Sequence, residues 1–290
     1  MPELPEVETI ARGLQKVIVG KRIKEVEAIF PGIIRQDLDL FKKAVAQKKI
    51  QEVRRRGKYL LLDLSGGKTI LVHLGMTGTL LCLKSGDRSG ERLNRRPSKP
   101  KPTNKHDHLA FRFCGSDLEL RYNDQRKFGK WKVCDTCSAE HIAELSKLGP
   151  ESLGLTDCEF VQIFRGRRGR IKSALLNQQI IAGLGNIYAD ESLFEARINP
   201  SQRLDLLSER KLKNLHKAIR NVLSKAIKAG GSSVDNYLNV NGQLGSFQFH
   251  HKVYGREGEA CKRCGAKIKR IRISQRSSYF CPRCQPSRKA

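Results

Sequence analysis

Two cysteine pairs near the C-terminal end constrain the fold most. In CKRCGAKIKRIRISQRSSYFCPRC, Cys261 and Cys264 form one C-x2-C, Cys281 and Cys284 form a second, and sixteen residues separate them. Two knuckles that each offer two thiolates can close a tetrahedral Zn²⁺ site. With all four ligands from protein no coordination position stays open, so such a metal is structural and does not catalyse. A segment this small depends on the metal to fold. Between the pairs, Ile268, Ile271 and Ile273, then Tyr279 and Phe280, predict the two strands of a hairpin. A redox or incidental pairing is the competing reading.

The hairpin is basic (Lys267, Lys269, Arg270, Arg272, Arg276), and so is the whole chain, with a formal net charge of +27 over 290 residues and a pI near 10.0. Such a balance speaks of partners and not of fold. It points to a polyanion, and because the basic residues recur along the chain it suggests a long contact track. A solubilising surface explains it less well. An anionic membrane would ask for a basic amphipathic anchor, and none is evident. No apolar run approaches a membrane span. Nine cysteines with no secretory signal before them argue for a reducing compartment and for metal or thiol chemistry.

Periodicity divides the chain. Val7, Ile10, Leu14 and Val17 recur at helical spacing, with glutamates in the first turn and Gly20 as a stop. Strand-length apolar stretches follow: KEVEAIF, IQEVRRR, KYLLLDL, TILVHLG, HLAFRF and LELRYN. Residues 1–136 therefore read as one helix followed by a mostly antiparallel β domain. Residues 84–105, KSGDRSGERLNRRPSKPKPTNK, read as a mobile basic loop, either a plain solvated insertion or a DNA-contacting segment. From about 137 to 255 the period becomes helical, through AEHIAELSKL, CEFVQIF, IKSALLNQQII, IYADESLFEARI and ERKLKNLHKAIRNVLSKAIKAG. AGLGN marks a tight turn between two of these helices, with Asn186 expected as an N-cap. Residues 230–255 read as a loop or lid, and 256–290 as the separate zinc module.

The opening MPELPEVETI carries the chemistry. Met1 precedes a small residue, so its removal would leave Pro2 as a terminal secondary amine. An α-amino group has a pKa of about 7.7–8.0, so part of it is neutral near pH 7 and able to attack a carbon electrophile. Addition to a sugar carbon would give an iminium, an electron sink. Glu3 would be the adjacent acid/base, and Glu6 could hold the amine and Glu3 in register. The same residues also fit a plain helix start, with prolines in the first turn and glutamates at the positive end of the dipole.

MPELPEVET closely resembles the start of bacterial formamidopyrimidine-DNA glycosylases. KYLLLDL, HLGMTG, KHDHL, DQRKFG, GLGNIYADESLF, VYGR and the zinc finger match that family in order over essentially the full chain. The resemblance implies an α+β multidomain fold. Its parts are an N-terminal helix with an antiparallel β-sandwich, a helix-two-turn-helix domain and a C-terminal zinc-finger hairpin. It implies a cytoplasmic, monomeric glycosylase and abasic-site lyase acting on oxidised purines in damaged double-stranded DNA. Pro2 would be the Schiff-base nucleophile and Glu3 the general acid. Lys58 would lie at the DNA backbone and take part in β-elimination. Arg276 corresponds to a residue assigned to δ-elimination; with a pKa above 12, a clamp on the leaving phosphate is its better physical role. Lys172 and Asn186 would hold phosphates, and His106, Arg126 and Arg167 match further DNA-contacting positions. Met76, Arg126 and Phe128 would fill the space left by a flipped nucleotide. Met76 and Phe128 also fit as ordinary core residues.

Many family members have DPRRFG where this chain has DQRKFG, but Arg126 and Phe128 are kept. The basic loop is longer than in compact members. Endonuclease VIII enzymes share the helical domain and finger but typically lack PELPEVET, and a non-catalytic DNA binder would not need Pro2, Glu3 and Lys58. The pair Cys134/Cys137 has no second pair nearby and reads as incidental, with a redox or metal role as alternatives. Cys82, Cys114 and Cys158 are expected as packed thiols.

Overall fold

The structure is a computed structural model that describes residues 1–84, 105–234 and 237–287. The basic 84–105 loop therefore lies outside the described residues except at its two ends. The chain divides into two compact units, Met1–Ser146 with Ala229–Ser246, and Lys147–Lys228 with Phe247–Ala290.

The first unit begins with α1 (Leu4–Ile18) and continues through β1 (Ile23–Ala28), α2 (Leu38–Val45), β2 (Ile50–Arg56), β3 (Tyr59–Leu64) and β4 (Lys68–His73). β5 (Thr79–Lys84), β6 (Asp107–Phe113), β7 (Leu118–Asn123), β8 (Lys130–Asp135) and the single turn α3 (Ala143–Ser146) complete its regular elements. The strands form two antiparallel four-stranded sheets, β1-β6-β7-β5 and β2-β3-β4-β8. One apolar core draws on every strand of both, so the sheets form a sandwich. Val7, Ile10, Leu14 and Ile18 of α1 enter the same core because they repeat every three to four residues. Each such side chain stabilises the fold by about 1.5–3 kcal/mol. The helix ends at Val19, and Gly20 turns the chain at φ +87°. α1 is thereby fixed along its whole length, which holds its N-terminal turn still.

The second unit contains α4 (Asp157–Phe164), α5 (Ile171–Leu176), α6 (Asn186–Glu195), α7 (Glu209–Lys228) and the zinc-finger strands β9 (Lys269–Ile273) and β10 (Arg276–Phe280). Leu212, Leu215, Ile219, Val222, Leu223 and Ala226 make one buried stripe on α7, against which α4 and α6 pack. Two helical expectations shorten. IKSALLNQQII stops at Leu176 because the Asn177 carboxamide accepts the Gln179 N–H (2.9 Å), an Asx turn that competes with the helix. AEHIAELSKL yields only a 3₁₀ turn and α3, because Gly149-Pro150 follows closely and proline disfavours helix before it.

The segment expected as a lid is divided. Tyr237 and Val240 lie in the sandwich core, which puts Ala229–Ser246 with the first unit. Phe247 packs its ring 5.6 Å from that of Tyr188 and belongs with the second.

Candidate active site

The N-terminal turn is a buried carboxylate cluster. Glu3 is the N-cap of α1 and Glu6 its third residue, only 3% and 2% exposed, and Pro2 is buried beside them. Glu6 Oε2 accepts the Glu3 backbone N–H at 2.8 Å, the return half of a capping box. Its other oxygen, Oε1, accepts the Ser232 N–H, also at 2.8 Å. Two oxygens bound to two backbone segments fix the rotamer of Glu6 and the backbone that carries Pro2. The null alternative of a bare helix start does not use the second of these bonds.

Lys58 sits in the two-residue turn between β2 and β3, where Gly57 takes φ +56°. A glycine with positive φ at the first turn position suits the twist of the hairpin. Arg55 ties this turn to α1: its Nε bonds Glu8 at 2.8 Å, and its Nη1 bonds the Gly57 carbonyl at 3.0 Å. Lys58 is 7% exposed. His73, opposite Tyr59 in the ladder, stacks obliquely on that ring at 4.8 Å. Burial, then the nearby charges of Lys58 and Lys130, pull His73 down from 6.5 to about 4, so it is neutral at pH 7.

Two loops carry the expected wedge. Met76 and Phe128 are 40% and 49% exposed, so neither is a core residue, and the Arg126 guanidinium lies 4.8 Å over the Phe128 ring. Asp124, fully buried, joins the loops. Its carboxylate accepts from the Thr77 hydroxyl, the Tyr122 hydroxyl (3.0 Å), and the Arg126 (3.1 Å) and Gly129 (2.9 Å) N–H groups. These bonds outweigh burial and hold Asp124 below its ordinary value of 3.8. The loops meet at glycines: a Cβ on Gly75 would come within 2.7 Å of the Gly129 nitrogen, and one on Gly129 within 1.8 Å of the Tyr122 hydroxyl. His106 precedes β6, half-buried, and its carbonyl accepts the Asp124 N–H at 2.9 Å.

In the second unit Lys172 does not lie where a phosphate could reach it. Its side chain is 0% exposed and pairs at 2.7 Å with Asp190, also 0% exposed. Lys172 Nζ also donates to the Ser277 carbonyl at 3.0 Å, and Asp190 Oδ2 accepts the Tyr279 N–H at 2.9 Å. Burial raises Asp190 to about 7 against the opposing pull of Lys172. Asn186 is not the N-cap of α6; Gly185 is, and the Asn186 amide donates to the same Ser277 carbonyl at 3.0 Å. Lys172 and Asn186 thus hold β10. Arg167 is exposed, with Nε on the Ile163 carbonyl at 2.6 Å. Arg276 is exposed and opens β10 directly after the Ser274–Gln275 turn. Both turn residues take positive φ, 47° and 59°, a strained choice for non-glycine residues.

Cys261, Cys264, Cys281 and Cys284 bring their sulfurs within 4.8 Å of one another, with Cys264–Cys281 at 3.4 Å and Cys261–Cys284 at 3.9 Å. Zn–S bonds of about 2.3 Å in a tetrahedron require about 3.8 Å between sulfurs. The donor set and its geometry fit one structural zinc. The Arg263 and Cys284 N–H groups point at the Cys261 and Cys281 sulfurs, both at 3.4 Å. Among the described residues this is the only cluster of three or more candidate ligands. Cys114 and Cys158 are exposed, contrary to the packed thiols expected, while Cys82 is half-buried against the sandwich core. Cys134 is half-buried and Cys137 exposed, with no third ligand in reach.

Three family models match in order: the formamidopyrimidine-DNA glycosylase N-terminal domain over 1–131, its H2TH domain over 148–237, and the zinc finger found in FPG and IleRS over 258–286. The formamidopyrimidine-DNA glycosylase of Pelotomaculum thermopropionicum is 42% identical over 288 residues, covering 98% of this chain and 99% of that one. The chain belongs to the formamidopyrimidine-DNA glycosylase family. The homologue from Ruegeria sp. (strain TM1040) is also 42% identical, covering 98% of this chain and all of its own. Lactococcus lactis Fpg in complex with Fapy-dG DNA or with abasic-site DNA superposes with TM-score 0.86 at 38% identity, over 99% of this chain and 100% of that one. The wild-type L. lactis protein has also been solved with DNA containing an oxidised pyrimidine. No helix among the described residues is long and apolar enough to cross a membrane.

Residue-by-residue reading of the family motifs passed over Asp124, His73 and Asp190. Asp124 opens DQRKFG, and its only sequence signal is an acid directly after an apolar strand. His73 stands in HLGMTG with no charge partner near it in sequence. Asp190 lies eighteen residues from Lys172, and nothing in the spacing says they meet.

Proposed function

We propose that this chain excises oxidised purines, such as 8-oxoguanine and formamidopyrimidines, from duplex DNA and then cuts the strand as an abasic-site lyase. The supporting observation is the buried N-terminal cluster, in which Glu6 fixes the backbone between Pro2 and Glu3. With Met1 removed, the Pro2 nitrogen bonds to C1′ of the flipped nucleotide as the bond to the damaged base breaks. Glu3 supplies the proton that lets the sugar ring open at O4′, and the nitrogen lone pair then forms an iminium. The iminium acidifies C2′–H. Loss of that proton expels the 3′ phosphate, and a second elimination expels the 5′ phosphate, leaving a one-nucleotide gap.

Lys58 assists the first elimination from a turn that Arg55 and Glu8 hold against α1. A neutral His73 beside it leaves the positive charge there to the lysine. Arg276 clamps the leaving phosphate, as a donor that never loses its proton. Met76, Arg126 and Phe128 occupy the vacated stack, kept in register by Asp124. His106 and Arg167 contact the backbone. Lys172 and Asn186 serve it through β10. Zinc holds the finger and takes no step. The DNA in the L. lactis complexes, with Fapy-dG or an abasic site, is consistent with this substrate class.

Borohydride trapping tests the reading on duplexes carrying 8-oxoguanine, an oxidised pyrimidine or an abasic site, with Pro2→Gly alongside. The expected result is a covalent adduct with the 8-oxoguanine and abasic strands that is lost in the variant. An adduct with the oxidised pyrimidine alone would move the specificity to the endonuclease VIII type. Tight binding with no adduct on any strand would make the protein a reader of damage only.

A further inference from the structure

Residues 229–246 form a pinched strap within the first unit. Ser246 N–H donates to the Ala229 carbonyl at 2.9 Å, and Gly245 N–H to Ser233 Oγ at 2.9 Å, so the two ends of the strap lie together. The pinch needs glycine, since a Cβ on Gly245 would come within 2.3 Å of the Gly231 carbonyl. Beyond the pinch the strap is bound to the sandwich. Val240 is buried against Gly13 of α1, where a Cβ would approach Val240 Cγ2 to 2.5 Å, and its carbonyl accepts the Cys82 N–H at 2.8 Å. A loop with joined ends and its own packed side chains moves as a piece.

At its neck the strap meets the N-terminal turn through one side chain. Glu6 Oε1 accepts the Ser232 N–H while Glu6 Oε2 accepts the Glu3 N–H, each at 2.8 Å. The Tyr237 hydroxyl reaches the Glu6 carbonyl at 3.3 Å. Gly231, at φ +83°, passes so close that a Cβ there would lie 2.9 Å from Glu6 Oε1 and 3.0 Å from Glu6 Cγ. The carboxylate is planar and rigid, so neither bond can lengthen without turning the other.

We infer that Glu6 is a two-sided tether, and that Gly231 and Ser232 are positioning residues for the terminal amine although they belong to the strap. The inference rests on the assignment of Pro2 given above. A change in the strap then displaces Glu6, Glu3 and Pro2 together. By reciprocity, whatever occupies the N-terminus changes how firmly the strap is held.

The test uses full-length protein, confirmed by mass spectrometry to begin at Pro2. The variants are Gly231→Ala, which pushes on Glu6, Glu6→Gln, which adds no bulk and can no longer accept from both N–H groups, and Leu244→Ser, an exposed strap position that does not touch Glu6. Two quantities are read: the rate of labelling of the Pro2 amine by an amine-specific reagent across pH 6–9, and borohydride trapping on abasic-site duplex. Gly231→Ala and Glu6→Gln are expected to shift the labelling rate at least about threefold and to slow trapping at least about tenfold. Affinity for undamaged duplex should stay within about twofold, and Leu244→Ser should match wild type in everything. Glu6→Gln decides the matter if Gly231→Ala does not fold. Labelling that is the same in all four proteins overturns the tether. Wild-type protein that labels but never traps overturns the lyase reading instead, and the labelling comparison still decides the tether.

Discussion

Replacing Lys172 by Met separates a lysine that holds phosphate from one that holds the fold. The structure buries its ammonium completely against an equally buried Asp190 at 2.7 Å. Removing one partner of a buried pair leaves the other uncompensated, which costs about 3–5 kcal/mol. At about 2–4 °C per kcal/mol for a chain of this size, thermal unfolding of K172M should fall by roughly 10 °C. The loss should shrink in acid. Burial already raises Asp190 to about 7 with Lys172 opposing, so without the lysine it rises further and the buried carboxyl goes neutral. A raised carboxyl contributes its stability below the unfolded pKa and loses it as pH rises through the folded one. K172M should therefore lie closest to wild type near pH 4–5 and furthest above pH 7. K172M/D190L, with no buried charge, should recover most of the loss. The companion assay is the salt dependence of binding to undamaged duplex. A phosphate contact contributes about 0.9 to the slope of log K against log salt. The structure predicts an unchanged slope for K172M, with reduced protease resistance around Ser277. A slope lower by about 0.9 with wild-type stability would refute this account and return Lys172 to the phosphates.

Asp124→Asn should cost about 2–3 kcal/mol, since an amide turns a donor toward N–H and O–H groups that need acceptors, and excision should fall more than duplex binding; urea unfolding and single-turnover excision check this. His73 is held at about 4 in the fold against 6.5 unfolded, so it contributes stability above pH 6.5 that is lost as pH falls toward 4. At 1.36 kcal/mol per unit this reaches about 3 kcal/mol, and His73→Gln should flatten the pH dependence of urea unfolding over that window. Stripping zinc with a chelator, or Cys284→Ser, should expose 256–287 to limited proteolysis and weaken duplex binding while leaving the sandwich cooperative; a protected finger without metal would contradict the structural role. An N-terminal tag that keeps Pro2 acylated should abolish strand cleavage and leave duplex affinity within about threefold.

Much of this was legible before any coordinates. Periods of two and of three to four residues located α1, the sandwich strands and α7, because burial on one face imposes those repeats directly on the sequence. The two C-x2-C pairs located the zinc site, since knuckle ligands are neighbours along the chain. Short-range competition misled the reading at Asn177 and Asn186. Asn177 stops a helix by a local side-chain bond, and Asn186 reaches ninety-one residues ahead to Ser277 and does not cap its own helix. The strap was misplaced for a related reason. Its Gly, Ser and Asn content says loop, but only packing shows that Tyr237 and Val240 belong to the sandwich core.

By itself the sequence determined the kinds of element, the metal ligands and the reactive groups, Pro2 and Glu3 among them, because each depends on residues close together in the chain. Only the tertiary structure decided which charges are neutralised and by what. Lys172 meets Asp190, Asp124 joins two loops, and Glu6 bonds Ser232 across 226 positions. A buried carboxylate or ammonium must find its partner wherever folding brings one, and the energy of leaving it unpaired exceeds any local preference the sequence could display.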